Sequence, residues 1–356
     1  MEVVMKKIFA VMTILLISVF LFSACAQVTT TIIEDVSGSD EKKSEDKSYV
    51  FEKDDEDSPS TESAKNADTV FSDYTYLGYI YYGKYPQSLA KRDAYKFGRM
   101  SKIKYGNTNY YLSDYDKELY AKVRASAYGK GYKFSDDRDI EDGAEYYFKV
   151  EPIRWNVYGK ADLQSGKVQL FLLCNLIIDS KAFLSDDSYE RNMVDGEYYN
   201  KKTGALANSW ASSDVRSWLN DSFVKTAFTE KELSNIIPRK TSDVSDVYDE
   251  NDNEEYAYLM TYQQAVAIKN PVAQVSDYAR VRSTFIAIDD AIFGNGRYWL
   301  CSNGNKSYQA AYVSNYNNIV SQVGESVGAA YMGVRPAITI SADSTIEILT
   351  KEDKKK

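Results

Sequence analysis

The side chains able to do chemistry in this 356-residue chain fall into three groups, and the sequence holds no histidine. That removes Ser-His-Asp and Cys-His nucleophilic units, His-ligated metals and an imidazole pH switch. The first group is the cysteines, Cys25, Cys174 and Cys301. Three thiols cannot build a disulfide framework or a four-cysteine zinc site. In an oxidising compartment Cys174 and Cys301 could form one disulfide. The alternative is two buried thiols behaving as small hydrophobes, which the apolar run FLLCNLII around Cys174 favours. That same setting argues against an open, copper-binding cysteine pair.

The second group is the oxygen-rich stretch 243–255, with Asp243, Asp246, Asp249, Asn251, Asp252, Asn253, Glu254 and Glu255. Calcium favours such ligands, but an EF-hand register starting at Asp249 puts Glu254 at the glycine position and Met260 at the bidentate glutamate. A solvated acidic loop is the expectation, with calcium the only cofactor to consider. The third group is Asn303, Asn305, Tyr308, Tyr312, Tyr316 and Asn317. Tyrosine and asparagine on loops give rigid, hydrogen-bonding contact area, and aromatic faces suit sugar rings. Tyrosines packing one sheet face would produce the same pattern, and the chain has 31 of them. A P-loop-like spacing at Gly78–Tyr85 fails, because Tyr85 stands where a magnesium-binding hydroxyl is required.

The elements that must position these groups read as strands, then helices, then strands. Tyr76–Tyr85 is a tyrosine-rich strand ending at Pro86, and Tyr146–Tyr158 is a second, with Pro152 at a bulge or edge. Lys167–Ile178 is almost wholly apolar and therefore central, with Gly159–Gly166 as the connecting turn. Ser213 can cap a helix that lines up Val215, Trp218, Leu219 and Phe223, with Trp218 expected in the core. Thr229 and Glu232 form a capping box for a second short helix. Strands return at Tyr256–Met260, Arg297–Ser302, Tyr308–Ser314, Val334–Ile340 and Ile346–Leu349. This order predicts an α+β fold: one large mixed domain of antiparallel strands and two short helices.

The net charge of −9 is local. Glu34–Asp68 carries thirteen acidic and five basic residues, and the rest of the chain is nearly neutral. No basic stripe marks a nucleic-acid surface. Lys6-Lys7, the apolar run Ile8–Phe22 and Ser23-Ala24-Cys25 describe a signal peptide, too short to span a bilayer. Leu21–Cys25 resembles a bacterial lipobox, which implies lipidation of Cys25 and an extracytoplasmic, surface-exposed protein held to the membrane by its lipid. The expected organisation is a signal at 1–24, a disordered acidic linker at 25–68, a globular domain at 69–350 and a charged tail at 351–356.

YIYYGKYPQ (79–87), EPIRWNVY (151–158), SDVRSWLNDSF with TAFTEKELSNI (213–236), SDYARVRST (276–284), RYWLCSNG (297–304), AAYVS (310–314) and GVRPAITI (333–340) follow one another as in a bacterial module. Over about 79–340 the chain resembles the domain-of-unknown-function family 6273 of secreted and surface proteins of Gram-positive bacteria. Cys301 stands where that family's aromatic-aromatic-Leu-Arg-Ser pattern has Arg. Helices followed by strands and the terminal Gly-Val-Arg are also similar to C-type-lectin-like folds, including the formylglycine-generating enzyme group. The resemblance implies no catalytic signature. The expected function is binding of an extracellular glycan or a protein partner. A two-carboxylate glycosidase-type hydrolase, which needs no histidine, and a structural envelope protein are the alternatives.

Overall fold

The computed structural model describes residues 74–91, 98–105, 108–126, 132–163, 166–192, 194–241, 253–282 and 294–350. The segment expected to be a signal, with Cys25, the acidic stretch expected to be a linker, positions 243–252 of the acidic loop and the tail 351–356 lie outside the described residues. The fold is α+β, with mostly antiparallel sheets and short helices.

The apolar strand β6 (Lys167–Cys174) is central, as a strand buried on both faces must be. It lies between β5 (Glu145–Asp162) and β12 (Ala337–Asp343). Beyond β5 the sheet continues through a meander of β4 (Leu119–Arg124), β3 (Thr108–Ser113) and β2 (Met100–Tyr105). The 18-residue β5 pairs with β4 through 145–149 and with β6 through 155–162, while β1 (Gly78–Leu89) runs antiparallel to it. Pro152 falls between these two pairings and stands opposite Lys84 of β1, next to the register shift that follows Tyr81. Buried Gln87 caps that gap, donating to the carbonyls of Glu151 at 3.1 Å and Pro152 at 3.2 Å. The turn expected over 159–166 is shorter, because Gly159 sits at a bulge within β5 and the chain reverses only after Asp162.

A second sheet holds β7 (Asp179–Ser180), β8 (Tyr298–Asn303), β9 (Gln309–Val313), β10 (Val320–Ser326) and β11 (Gly333–Val334), in the order β10-β9-β8-β11-β7. Only β8 and β11 are parallel. The chain crosses between the sheets twice, from β6 to β7 and from β11 to β12. At this crossing Arg335 is buried and donates to the Cys174 and Pro271 carbonyls, both at 2.7 Å, and to the Tyr298 hydroxyl at 3.0 Å. The arginine of GVRP therefore joins the two sheets, which share one core including Trp155, Phe171, Trp210, Trp299 and Ile338.

Ser213 caps α1 (Asp214–Trp218), accepting from the Arg216 N–H. A π turn over Leu219–Phe223 follows, then α2 (Val224–Ala227). The wide turn keeps residues four apart in line, so Val215, Leu219 and Phe223 are all buried. The Thr229–Glu232 capping box opens α3 (Glu230–Leu233). Two helices absent from the sequence expectation complete the fold: α4 (Tyr262–Ala267) packs on β8–β10, and α5 (Asp277–Arg282) packs on β1 and β7.

Cys174 and Cys301 are both buried thiols, so the disulfide considered from the sequence is not formed. They belong to different sheets, Cys174 at the end of β6 and Cys301 within β8. Burial pushes the Cys174 thiol up to about 12.

Candidate functional site

Three segments far apart in sequence meet at one polar cleft of about 440 Å³. Tyr85 comes from β1, Asp179 from β7, and Tyr278 with Arg282 from α5; Trp218 at the end of α1 completes the aromatic part. Strands β3 and β4 supply the facing wall, with Thr108, Tyr110, Ala121 and Val123 on the side turned to α5 and α2.

Asp179 organises the floor. Its side chain is 1% exposed and accepts from the Ser180 N–H at 2.8 Å, the Tyr85 hydroxyl at 3.0 Å and Arg282 Nε at 3.3 Å. A buried carboxylate needs such partners. The Arg282 side chain keeps 36% of its surface exposed in the cleft. Asp179 holds its guanidinium still more firmly protonated than usual. Burial, reinforced by the Asp179 charge, raises the Tyr85 hydroxyl well above its ordinary range and pushes Tyr278 up to about 12. Both tyrosines are therefore neutral hydrogen-bonding groups at physiological pH. Lys181 lies 5.0 Å above the Trp218 ring, its ammonium lowered by burial while Asp179 pulls the other way.

The neighbouring elements fix these positions. Asp277 at the start of α5 accepts from the Leu89 N–H at 3.1 Å and the Ser135 N–H at 2.7 Å, pinning the helix to β1 and to the loop after β4. The Tyr278 ring meets Tyr85 and Phe148 edge-on, each at 5.6 Å. On β1, Gly83 adopts φ +65° at the bulge before Lys84, and a Cβ there would lie 2.6 Å from the Phe228 ring. The segment that superficially spaces like a P-loop is thus strand and bulge.

Among the described residues lining the cleft, Asp179 is the sole carboxylate. Its oxygens are committed to three donors, so it acts as a positioning group. The arrangement presents an arginine beside aromatic faces and hydroxyl groups, which can hold a hydroxylated or anionic ligand by hydrogen bonds and stacking.

The residues nominated from the sequence lie elsewhere and do not converge. Asn303 ends β8 and Asn305 is exposed in the β8–β9 turn. Tyr308, at that same end, packs on Tyr198 at 4.9 Å in a ladder continued by Tyr189. Tyr312 is half-buried beneath Arg297. Tyr316, 45% exposed, and Asn317, in the left-handed conformation, lie in the β9–β10 turn. The two ends are separated by β9, on the order of 16 Å for a five-residue strand. Trp218, expected in the core, is half-buried and lines the cleft. Of the acidic stretch, Glu255 is buried against Arg216 and accepts from Trp210 Nε1 at 3.0 Å, which commits it to the core. Among the described residues no cluster of three or more carboxylates or thiols could hold a metal ion.

Sequence reasoning passed over Asp179, Arg282, Tyr85 and Tyr278. Three of these lie inside the quoted family landmarks, and Asp179 is the first charge after the apolar run ending at Ile178. Residues 177–342 match the family model described as Domain of unknown function (DUF6273). The matched region begins at Ile177, so the landmarks at 79–87 and 151–158 fall outside it, and the resemblance is carried by the C-terminal part of the expected span. No curated protein and no solved structure matches the chain.

Proposed function

We propose that this chain is a binding module held outside the cytoplasm by a lipid on Cys25, and that it takes a saccharide in the Asp179–Arg282 cleft. One observation carries the proposal: buried Asp179 clamps Arg282 and Tyr85 beside Trp218 and Tyr278 in a polar cleft. Saccharide sites combine planar hydrogen-bonding groups with aromatic faces in this way. A hydrolase needs a second carboxylate opposite the first. The described lining offers Asp179 alone, and that group already accepts from three protein donors. The same proposal includes a C-type-lectin-like arrangement, supported by helices at 214–233 followed by the antiparallel strands β8–β10.

The test is a glycan array probed with the purified protein, followed by titration of any hit. Specific binding lost in Trp218→Ala and retained in Tyr308→Ala and Tyr316→Ala supports the cleft. Loss confined to the two tyrosine variants would move the site to the ends of β9. The absence of any saccharide binding by folded protein would refute the proposal.

A further inference from the structure

We infer that a second pocket, where the two sheets meet, binds a small uncharged molecule carrying a hydrogen-bond donor beside an acceptor, as a carboxamide or two neighbouring hydroxyls do. The pocket encloses about 200 Å³, and among the described residues none lines both it and the Asp179–Arg282 cleft, so the inference stands apart from the saccharide reading. Its floor follows from strand register. Asn156, Leu173 and Ala337 are ladder partners across β5, β6 and β12 and share one face of the first sheet. Arg154, Asn175 and Arg335 form the next row, each two residues away, and alternation returns them to that face. The Asn175 N–H donates to the Arg154 carbonyl at 2.9 Å, which continues the ladder into this row. Tyr158, at the bulge of β5, brings its hydroxyl beside the Asn156 side chain and Arg335. The short pairing of Ala273–Gln274 with Asn295–Gly296 supplies the other side.

The lining chemistry narrows the ligand. Asn156, Asn175, Asn270, Gln274 and Asn295 supply five carboxamides, each a donor and an acceptor on one group. Asn156 is 8% exposed, and its side-chain oxygen has no hydrogen-bond partner. A buried acceptor of this kind is unfavourable until a donor reaches it. Turning that amide over exchanges an unmet acceptor for an unmet donor, and the same ligand class answers both. The described lining has no carboxylate to meet a cation. Arg335 is its single base, with Nε and Nη1 spent on the Cys174 and Pro271 carbonyls and the Tyr298 hydroxyl. An anion therefore finds no open guanidinium fork. The volume equals that of about seven waters at roughly 30 Å³ each, which suits one molecule of monosaccharide size.

The test is a ligand-observed NMR titration of the purified protein with N-acetylglucosamine, myo-inositol, glucosamine and glucuronate. These are a neutral amide, a neutral polyol, a cation and an anion of similar size. At least one neutral probe should bind with Kd on the order of 1 mM, as ligands of about twelve to fifteen non-hydrogen atoms do. The charged probes should bind about tenfold more weakly or not at all, since the pocket leaves a charge unpaired. N-acetylglucosamine without inositol identifies the amide, and the reverse identifies the hydroxyl pair. Asn156→Leu puts an apolar side chain of similar size in place of the unpartnered amide and should weaken binding about tenfold. Asn175→Leu, at a half-buried position, should do the same and serves if the first variant does not fold. Binding kept in both asparagine variants but lost in Trp218→Ala would belong to the cleft and overturn the inference. Equal binding of charged and neutral probes, or no binding of any by folded protein, would also overturn it, and neither result bears on the array test of the cleft.

Discussion

Asp179 is the residue on which the cleft should fail first, and two substitutions separate its shape from its charge. Asp179→Ala removes the acceptor from the buried Tyr85 hydroxyl, at a cost of about 1–3 kcal/mol for an unsatisfied buried group. Loss of the Ser180 N–H bond adds about 1 kcal/mol. Arg282, 36% exposed, regains water when its partner is lost, so its pairing contributes at most about 1 kcal/mol. The expected destabilisation is therefore about 2–5 kcal/mol, in keeping with breaking a buried polar network. Asp179→Asn preserves more. An amide oxygen in the Oδ1 position still accepts from Ser180 and Arg282, and the amide nitrogen can donate to the Tyr85 oxygen. Only the charge is lost, and about 1 kcal/mol is expected. Urea unfolding of both variants measures this as a shift in midpoint at constant slope. Ligand titration of Asp179→Asn reports whether the charge also orients Arg282. An Asp179→Ala variant within about 1 kcal/mol of the parent would refute the role given to Asp179.

Gly83→Ala should destabilise by about 2–4 kcal/mol, from left-handed backbone strain plus overpacking against the Phe228 ring and the Ala227 carbonyl, read by urea unfolding. Glu255→Ala leaves Arg216, with a side chain only 12% exposed, beside an empty site, and about 3–5 kcal/mol of stability should go with it in the same assay. Cys174 and Cys301 should react with a thiol reagent only once the protein is unfolded; labelling of the native protein at either position would contradict their burial. Alkaline stability follows from the direction of two shifts. Cys174 rises from an ordinary 9.0 to about 12 and Tyr278 from 10.0 to about 12, so each contribution is complete below the unfolded value. Between pH 9 and 12 the unfolded chain loses protons that the native state retains, and stability should decline across that window in a pH series of urea midpoints.

Local signals were legible in the chain and distant ones were not. The apolar run of β6 and the caps at Ser213 and Thr229 involve residues within a few positions of one another, so composition and spacing reveal them. The meander β2–β4 hides because its tyrosines and lysines are mostly half-buried or exposed, blurring the alternation that marks a one-sided strand. Strand β7 is two residues long and exists through its pairing with Gly333 and Val334, some 150 positions away. The cleft suffers most from this, since residues 85, 179, 218 and 282 become neighbours only after both sheets have formed. The α+β order survived because it depends on the sequence of elements rather than on their partners. The asparagine and tyrosine stretch reads as a single surface because a linear reading cannot show that a strand separates its two turns.

The pairing of β6 with β12 also has a consequence in time. Leu173 has its partner in Ala337, so a strand that is apolar on both faces is synthesised 164 residues before the edge that covers it. At about 5–20 residues per second, that is a wait of roughly 8–30 s, during which a sticky segment lacks one of its two neighbours. The same geometry bears on dissection. Residues 177–342 contain β12 but not β6, so expressing the matched segment alone would leave Ile338 and Ile340 on an uncovered strand edge. Such a fragment should aggregate, whereas one that begins before β1 should remain monomeric in a size-exclusion run.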